Sequence, residues 1–170
     1  MPGSQRSPIT AFTDFVYLRM RHGDAWSSAT AETIAPEQGF ESLRGRKYCL
    51  LTTFRKSGEP VPTPVWFGLA DGKLFLRTEA AVGKVKRIRS NPRVRVAPCT
   101  FRGKPSGAPA EGRGRILDAN ESERAERAIA ANYGLFRKLY EGVGNRLPIE
   151  LLYIEIEPAS APARASVEAG

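Results

Sequence analysis

Metal ligands and nucleophiles are scarce in this chain: its 170 residues include one histidine, His22, and two cysteines, Cys49 and Cys99. With no Cys-x-x-Cys pair and no second histidine, neither a zinc site nor a disulfide framework is indicated. Both cysteines lie in apolar, β-like runs and read as buried thiols of a reducing cytoplasm. No apolar run approaches the ~18 residues of a membrane span, and no apolar segment ahead of a small-residue cleavage site opens the sequence. A soluble, cytoplasmic protein is expected. The Gly-rich loop of a P-loop, a nucleophile elbow and a paired-histidine motif are also missing. Gly142-x-Gly144 follows a predicted helix instead of opening one, so it reads as a helix stop. Acids are in the minority, 18 against 26 Lys and Arg, and the resulting charge of +8 favours an anionic partner.

The length fits one domain. Residues 1–38 read as a partly irregular N-terminal extension. An amphipathic piece at 12–20 carries a stripe of Phe12, Phe15, Val16 and Met20, and 23–37 forms a tether. The folded unit is placed at 39–158 and a flexible tail at 159–170. Alternating and β-branched runs predict six strands, at 48–54, 61–69, 73–78, 94–99, 112–117 and 150–157. Asp71-Gly72 is a two-residue hairpin turn. Pro62 and Pro64, two apart, put their missing N–H groups on the same edge of the second strand, which suits an outer strand. The loop at 102–109 is read as exposed. Asn120 and Glu123 resemble a capping box for a helix running to about Glu141. Hairpin-type links with few helices point to a small antiparallel barrel that is mainly β with flanking helices.

One segment carries chemistry. Between the strands at 73–78 and 94–99 lies a short basic helix that Asn91-Pro92 stops. Ala81, Val85 and Ile88 follow its buried rhythm, while Lys84 and Arg87 share another face. With Thr78 as N-cap, the first-turn N–H groups and the positive end of the dipole form an anion cradle that a phosphate would suit. A plain solvated basic helix gives the same pattern.

Thr52-Thr53-Phe54, Gly58-x-Pro60-Val61-Pro62-Thr63-Pro64-Val65-Trp66-Phe67, and Thr78 with Lys84 and Asn91-Pro92-Arg93-Val94 together resemble the pyridoxamine-phosphate-oxidase-like superfamily of flavin and deazaflavin oxidoreductases. Trp66-Phe67, Gly83-Lys84-Val85-Lys86-Arg87 and Ala97-Pro98-Cys99 are similar to its actinobacterial branch, which uses coenzyme F420. The resemblance covers about 43–157 and implies a six-stranded antiparallel split β-barrel of the FMN-binding type. It implies phosphate contacts from Thr78 and Lys84, and a cofactor site made of Pro62, Thr63, Pro64, Val65, Trp66, Thr78, Gly83, Lys84, Arg87 and Asn91. Val82 and Gly83 stand where the FMN-type pattern has Ser-Arg. The implied activity is F420-dependent hydride transfer to an electron-poor double bond of a small molecule, in a homodimer with the cofactor between subunits. FMN is the alternative cofactor, and a non-catalytic F420 carrier or a haem-binding relative are other readings. Lys86, Arg87, Arg93, Arg95, Arg113 and Arg115 could meet the carboxylates of the F420 tail. No residue is assigned as catalytic. Trp66 fits either the core or a ring-stacking role, and Tyr133 and Tyr140 fit either helix packing or proton donation. Nucleic acid is disfavoured as a partner, because aromatics are not interleaved with the basic runs.

Overall fold

The computed structural model describes residues 22–134 and 150–160. Among them seven strands, β1 (Cys49–Phe54), β2 (Pro60–Val65), β3 (Gly68–Ala70), β4 (Lys73–Glu79), β5 (Arg93–Pro98), β6 (Ala110–Ile116) and β7 (Leu151–Pro158), form one sheet. All pairs are antiparallel, in the order β2-β1-β5-β6-β7-β4-β3. The two edge strands, β2 and β3, are separated by Trp66 and Phe67 alone. Those residues let Val65 and Gly68 stand no more than roughly 11 Å apart, so the sheet must curl until its edges meet. The fold is thus an antiparallel barrel, as expected, with seven strands where six are predicted.

The extra strand comes from a break in the predicted run at 61–69. The Phe67 amide donates to the Tyr133 hydroxyl at 3.1 Å, and its carbonyl accepts from Asn132 Nδ2 at 2.8 Å. Bonded to a helix, that backbone cannot serve a ladder, and β2 ends before it.

Side-chain alternation sorts the sheet into two faces. Leu51, Leu74, Leu76, Val94, Val96, Ile154 and Ile156 point inward, where Val82, Val85 and Ile88 of the helical segment after β4 join them. That helix is α2 (Gly83–Ser90), the short α1 being Ser27–Thr30. Each fully buried Val or Ile contributes about 1.5–3 kcal/mol, which holds α2 against the barrel despite its charge. On the outer face, Phe75 and Leu117 pack under α3 (Ser122–Tyr133) through Ala125, Ala128 and Ile129. The capping box of the turn leading into α3 is Asp118 with Glu121, two residues before the predicted Asn120–Glu123 pair. Asp118 is the residue with extended backbone, and only there can the side chain reach forward to the turn. Gly134, at φ +52°, ends α3. Tyr140, Glu141, Gly142 and Gly144 lie outside the described residues, as do the stripe at 12–20 and the tail beyond 160.

Residues 22–38 differ from the expected tether. Ala25 is fully buried in a cluster with Leu50, Ala97 and Cys99, the His22 amide donates to the Arg102 carbonyl, and Arg95 Nη1 reaches the carbonyls of Ala29 and Ala31 at 2.6 and 3.2 Å. Small side chains let this segment lie flat on the sheet. In the loop at 102–109, Arg102 and Lys104 are exposed as expected, whereas Gly103 and Pro109 are buried.

Gly68 is the tightest point. A Cβ there would stand 2.2 Å from the Ala128 carbonyl carbon and oxygen, both backbone atoms of α3. Gly68→Ala must therefore separate β3 from the helix. The expected loss is about 3 kcal/mol, read as a fall in melting temperature of roughly 6–12 °C. A variant melting with the wild type would show that this contact is not limiting.

Candidate functional site

Helix α2 begins after Val82, which has extended N-cap backbone but makes no side-chain cap. The first amides of a helix lack partners within it and sit at the positive end of its dipole. No acid occupies this first turn. Thr78 is not the N-cap it is expected to be. Pairing of β4 with β7 continues to Glu79 opposite Leu151, which keeps Thr78 in the ladder and delays the helix. Its buried hydroxyl instead accepts a bond from Lys84 Nζ at 3.3 Å, so both residues still meet at the helix start.

Arg87 lies one turn later, and a helical side chain leans back toward the N-terminus. Its Nη1 comes to within 2.7 Å of the position a Cβ on Gly83 would take. Its Nε donates to Thr53 Oγ1 on β1 at 2.7 Å, and that hydroxyl faces the Val61 carbonyl of β2 at 3.5 Å. Thr78, Gly83, Lys84 and Arg87 are thereby brought together, with Thr53 as a fifth member. Its role was readable only as one half of Thr52-Thr53, two polar residues in an apolar strand whose faces alternate. Side-chain ammonium, guanidinium and first-turn amides are all donors, and the set fits a phosphoryl group.

Asn91 stands apart. It closes the other end of the eight-residue helix, about 12 Å from the start, where its Oδ1 accepts the Arg93 amide at 3.1 Å. The strand residues Pro62, Thr63, Pro64 and Val65 lie on β2, an edge strand that among the described residues pairs with β1 alone, as suits the two prolines. β2 starts beside the cradle, with Val61 opposite Thr53, and runs about 16 Å to Trp66. Trp66 is half-buried and packs on the outer layer, its ring stacked on Tyr133 at 4.8 Å and 17° and edge-on to Tyr48 at 6.3 Å. Phe101, 57% exposed, extends this aromatic row from Tyr48.

Several predicted tail contacts are engaged within the chain. Arg93 and Arg95 both bond Glu111, at 3.1 and 2.7 Å. Burial raises the Glu111 carboxyl, but these arginines outweigh it and hold the group below the usual range. Arg115 bridges Glu121 at 2.7 Å and the buried Glu155 at 2.9 Å, and it draws Glu121 down to about 2. Lys86 and Arg113 remain exposed. Burial pushes both thiols up, Cys99 to about 12, and makes them inert packing groups.

A curled, seven-stranded antiparallel barrel with a proline-bearing edge strand defines a class of small split barrels. The family model of pyridoxamine 5'-phosphate oxidase matches residues 35–158, and the chain belongs to that family. No curated protein matches it. Among solved structures, the chain is similar to a FAD-binding protein of Mesorhizobium loti (TM-score 0.53, 17% identity, 76% of this chain and 91% of that one). It is similar too to HutZ, a heme storage protein of Vibrio cholerae (0.53, 16%, 76% and 93%). A conserved hypothetical protein of Mycobacterium tuberculosis also matches (0.50, 16%, 84% and 86%). At these identities the likeness is one of fold.

Tyr133 packs at the end of α3 with its hydroxyl tied to two backbone groups. Its hydroxyl accepts from the Phe67 amide and donates to the Lys47 carbonyl, and burial pushes its pKa above the ordinary value. Tyr133→Phe is expected to cost about 1–3 kcal/mol in urea denaturation by orphaning buried backbone groups, with turnover of the folded variant unchanged. Lost turnover at wild-type stability would return Tyr133 to the chemistry.

Proposed function

We propose that this protein is an F420-dependent oxidoreductase that reduces an electron-poor double bond of a small-molecule acceptor, with FMN as the alternative cofactor. The observation that carries the reading is the meeting of Thr53, Thr78, Lys84 and Arg87 around the start of α2 in a chain of this family. Lys84, Arg87 and the first-turn amides hold the cofactor phosphate. β2 gives the ring a run of backbone, in which Pro62 and Pro64 leave the outer edge without N–H donors. Bound, the deazaflavin supplies hydride-transfer chemistry, which needs placement and exclusion of water more than a catalytic triad.

The test is a titration with F420 and, separately, FMN, followed by tryptophan fluorescence. F420 is expected to bind at micromolar or tighter concentrations, and Lys84→Ala to weaken it at least about tenfold through loss of a charge-assisted bond. FMN binding in its place would make the protein a flavin oxidase relative, and binding of neither would overturn the cofactor reading.

We further propose a homodimer with the cofactor between subunits. Support comes from the exposed Phe101 beside the aromatic row. Light scattering should give twice the 18.6 kDa chain mass. A monomer binding cofactor at full strength would overturn the shared site.

A further inference from the structure

The aromatic row on the outside of the barrel lies where the N-terminal part of the chain enters the fold. Phe101 is the most exposed large apolar side chain among the described residues, at 57%. It stands edge-on to Tyr48 at 5.6 Å, and Tyr48 is edge-on to the half-buried Trp66 at 6.3 Å. Apolar surface of this kind marks a contact site. The His22 amide donates to the carbonyl of Arg102 at 2.8 Å, one residue from Phe101, and Ala25, buried with Leu50 and Cys99, fixes the chain just beyond it. Residues 1–21 therefore reach the fold beside Phe101. The sequence that leads to this point is apolar: Phe12, Phe15, Val16 and Met20 recur at helical spacing, and Met20 is two residues from His22. At 1.5 Å per residue a helix from Phe12 to Met20 is about 12 Å long, which matches the two ring-to-ring steps of the row. Arg19 falls within the same stripe, where its guanidinium can lie over a ring.

We propose that residues 12–20 dock on the row of Phe101, Tyr48 and Trp66 of their own chain, with Met20 at Phe101 and Phe12 toward Trp66, as an intramolecular cover for this face. The link decides between the chain itself and a second copy as the source of the segment. Two residues keep the Met20 Cα within about 7 Å of that of His22, and so short a tether gives the stripe a local concentration that a free partner does not reach. Tyr17 and Leu18 fall outside the stripe, on the side left for a second copy in the dimer proposed above. The inference is independent of the cofactor reading, since it concerns packing of the chain on itself.

The experiment is hydrogen–deuterium exchange of the full chain, read on the amides of 12–20 over a range of protein concentrations, with a synthetic peptide of residues 1–21 as the unprotected reference. In the protein these amides are expected to exchange at least about tenfold more slowly than in the peptide, at every concentration. Phe101→Ser, a surface change that leaves the barrel melting close to wild type, should bring them back to the peptide rate. Phe15→Ser, which lies outside the barrel and so cannot unfold it, should do the same, and the double variant should exchange no faster than either single one. Leu151→Ser, the same kind of change at an exposed residue of β7, should leave the protection as it is. Exchange at the peptide rate in the wild type, protection that survives Phe101→Ser and Phe15→Ser, or its equal loss in Leu151→Ser would overturn the docking. Protection confined to concentrations at which light scattering shows a dimer would give the face to a second copy, and would overturn it as well.

Discussion

Closure of the sheet across Trp66 and Phe67 is the constraint on which the rest depends. Two residues join the edge strands of a seven-stranded sheet, and no flat arrangement can satisfy so short a link. The closure is secured from outside by α3, which gives the Phe67 backbone its hydrogen-bond partners through Asn132 and Tyr133 and presses against Gly68 with no side chain between. Curling then creates the interior that takes Val85 and Ile88. Burial of those two residues orients α2 so that Lys84 and Arg87 lie toward Thr78 and Thr53. The cradle is thus a consequence of barrel closure, although the helix that braces the closure is far from it in sequence.

The charge of +8 does not describe a uniformly basic surface. Glu111 binds two arginines across the β5–β6 pair, and Glu155, 1% exposed on β7, is approached by Lys73, Arg115 and Arg124. A buried carboxylate is costly unless cations surround it, so Lys73, Arg115 and Arg124 serve the carboxylate of Glu155, while Arg93 and Arg95 serve Glu111 and Arg95 also ties the sheet to the carbonyls of Ala29 and Ala31. Around α2 the balance differs: the helix has no acid in its first turn and carries basic residues in both turns. Net charge therefore overstates the general attraction for anions, since several of the arginines and lysines are matched by carboxylates within the chain.

Much of this was legible in the sequence because the relevant signals are local. Strand alternation, the Asp71-Gly72 turn and the Val85/Ile88 rhythm each need only neighbouring residues, and the structure has them as expected. The misses depend on distant partners. Nothing within 61–69 reveals that Asn132 and Tyr133 take the Phe67 backbone and break the strand. Thr78 has the right residue type for a cap, but β7, more than seventy residues downstream, keeps it in the ladder. The same holds for the arginines: alternation correctly puts Arg93 and Arg95 on one face, whereas only the β5–β6 register places Glu111 opposite Arg95. Residues 22–31 were illegible for a third reason, since Ala25 and Ala29 bury too little apolar area to make a pattern, although their smallness is what allows close packing.

The distribution of interactions in the site also bears on the chemistry it can support. Several polar groups are fixed by the fold: the Thr53 hydroxyl accepts from Arg87, that of Thr78 accepts from Lys84, Tyr133 is held by two backbone groups, and burial raises both thiols. What the described residues provide is a fixed cationic anchor at one end of an edge strand and an aromatic row at the other. Such an arrangement suits a ligand long enough to be gripped at its charged end and positioned at its planar end. Under the cofactor reading proposed above, binding energy from the anchor would go into orienting the planar part of the ligand, the division of labour expected where a bound group carries the reaction and the protein supplies position.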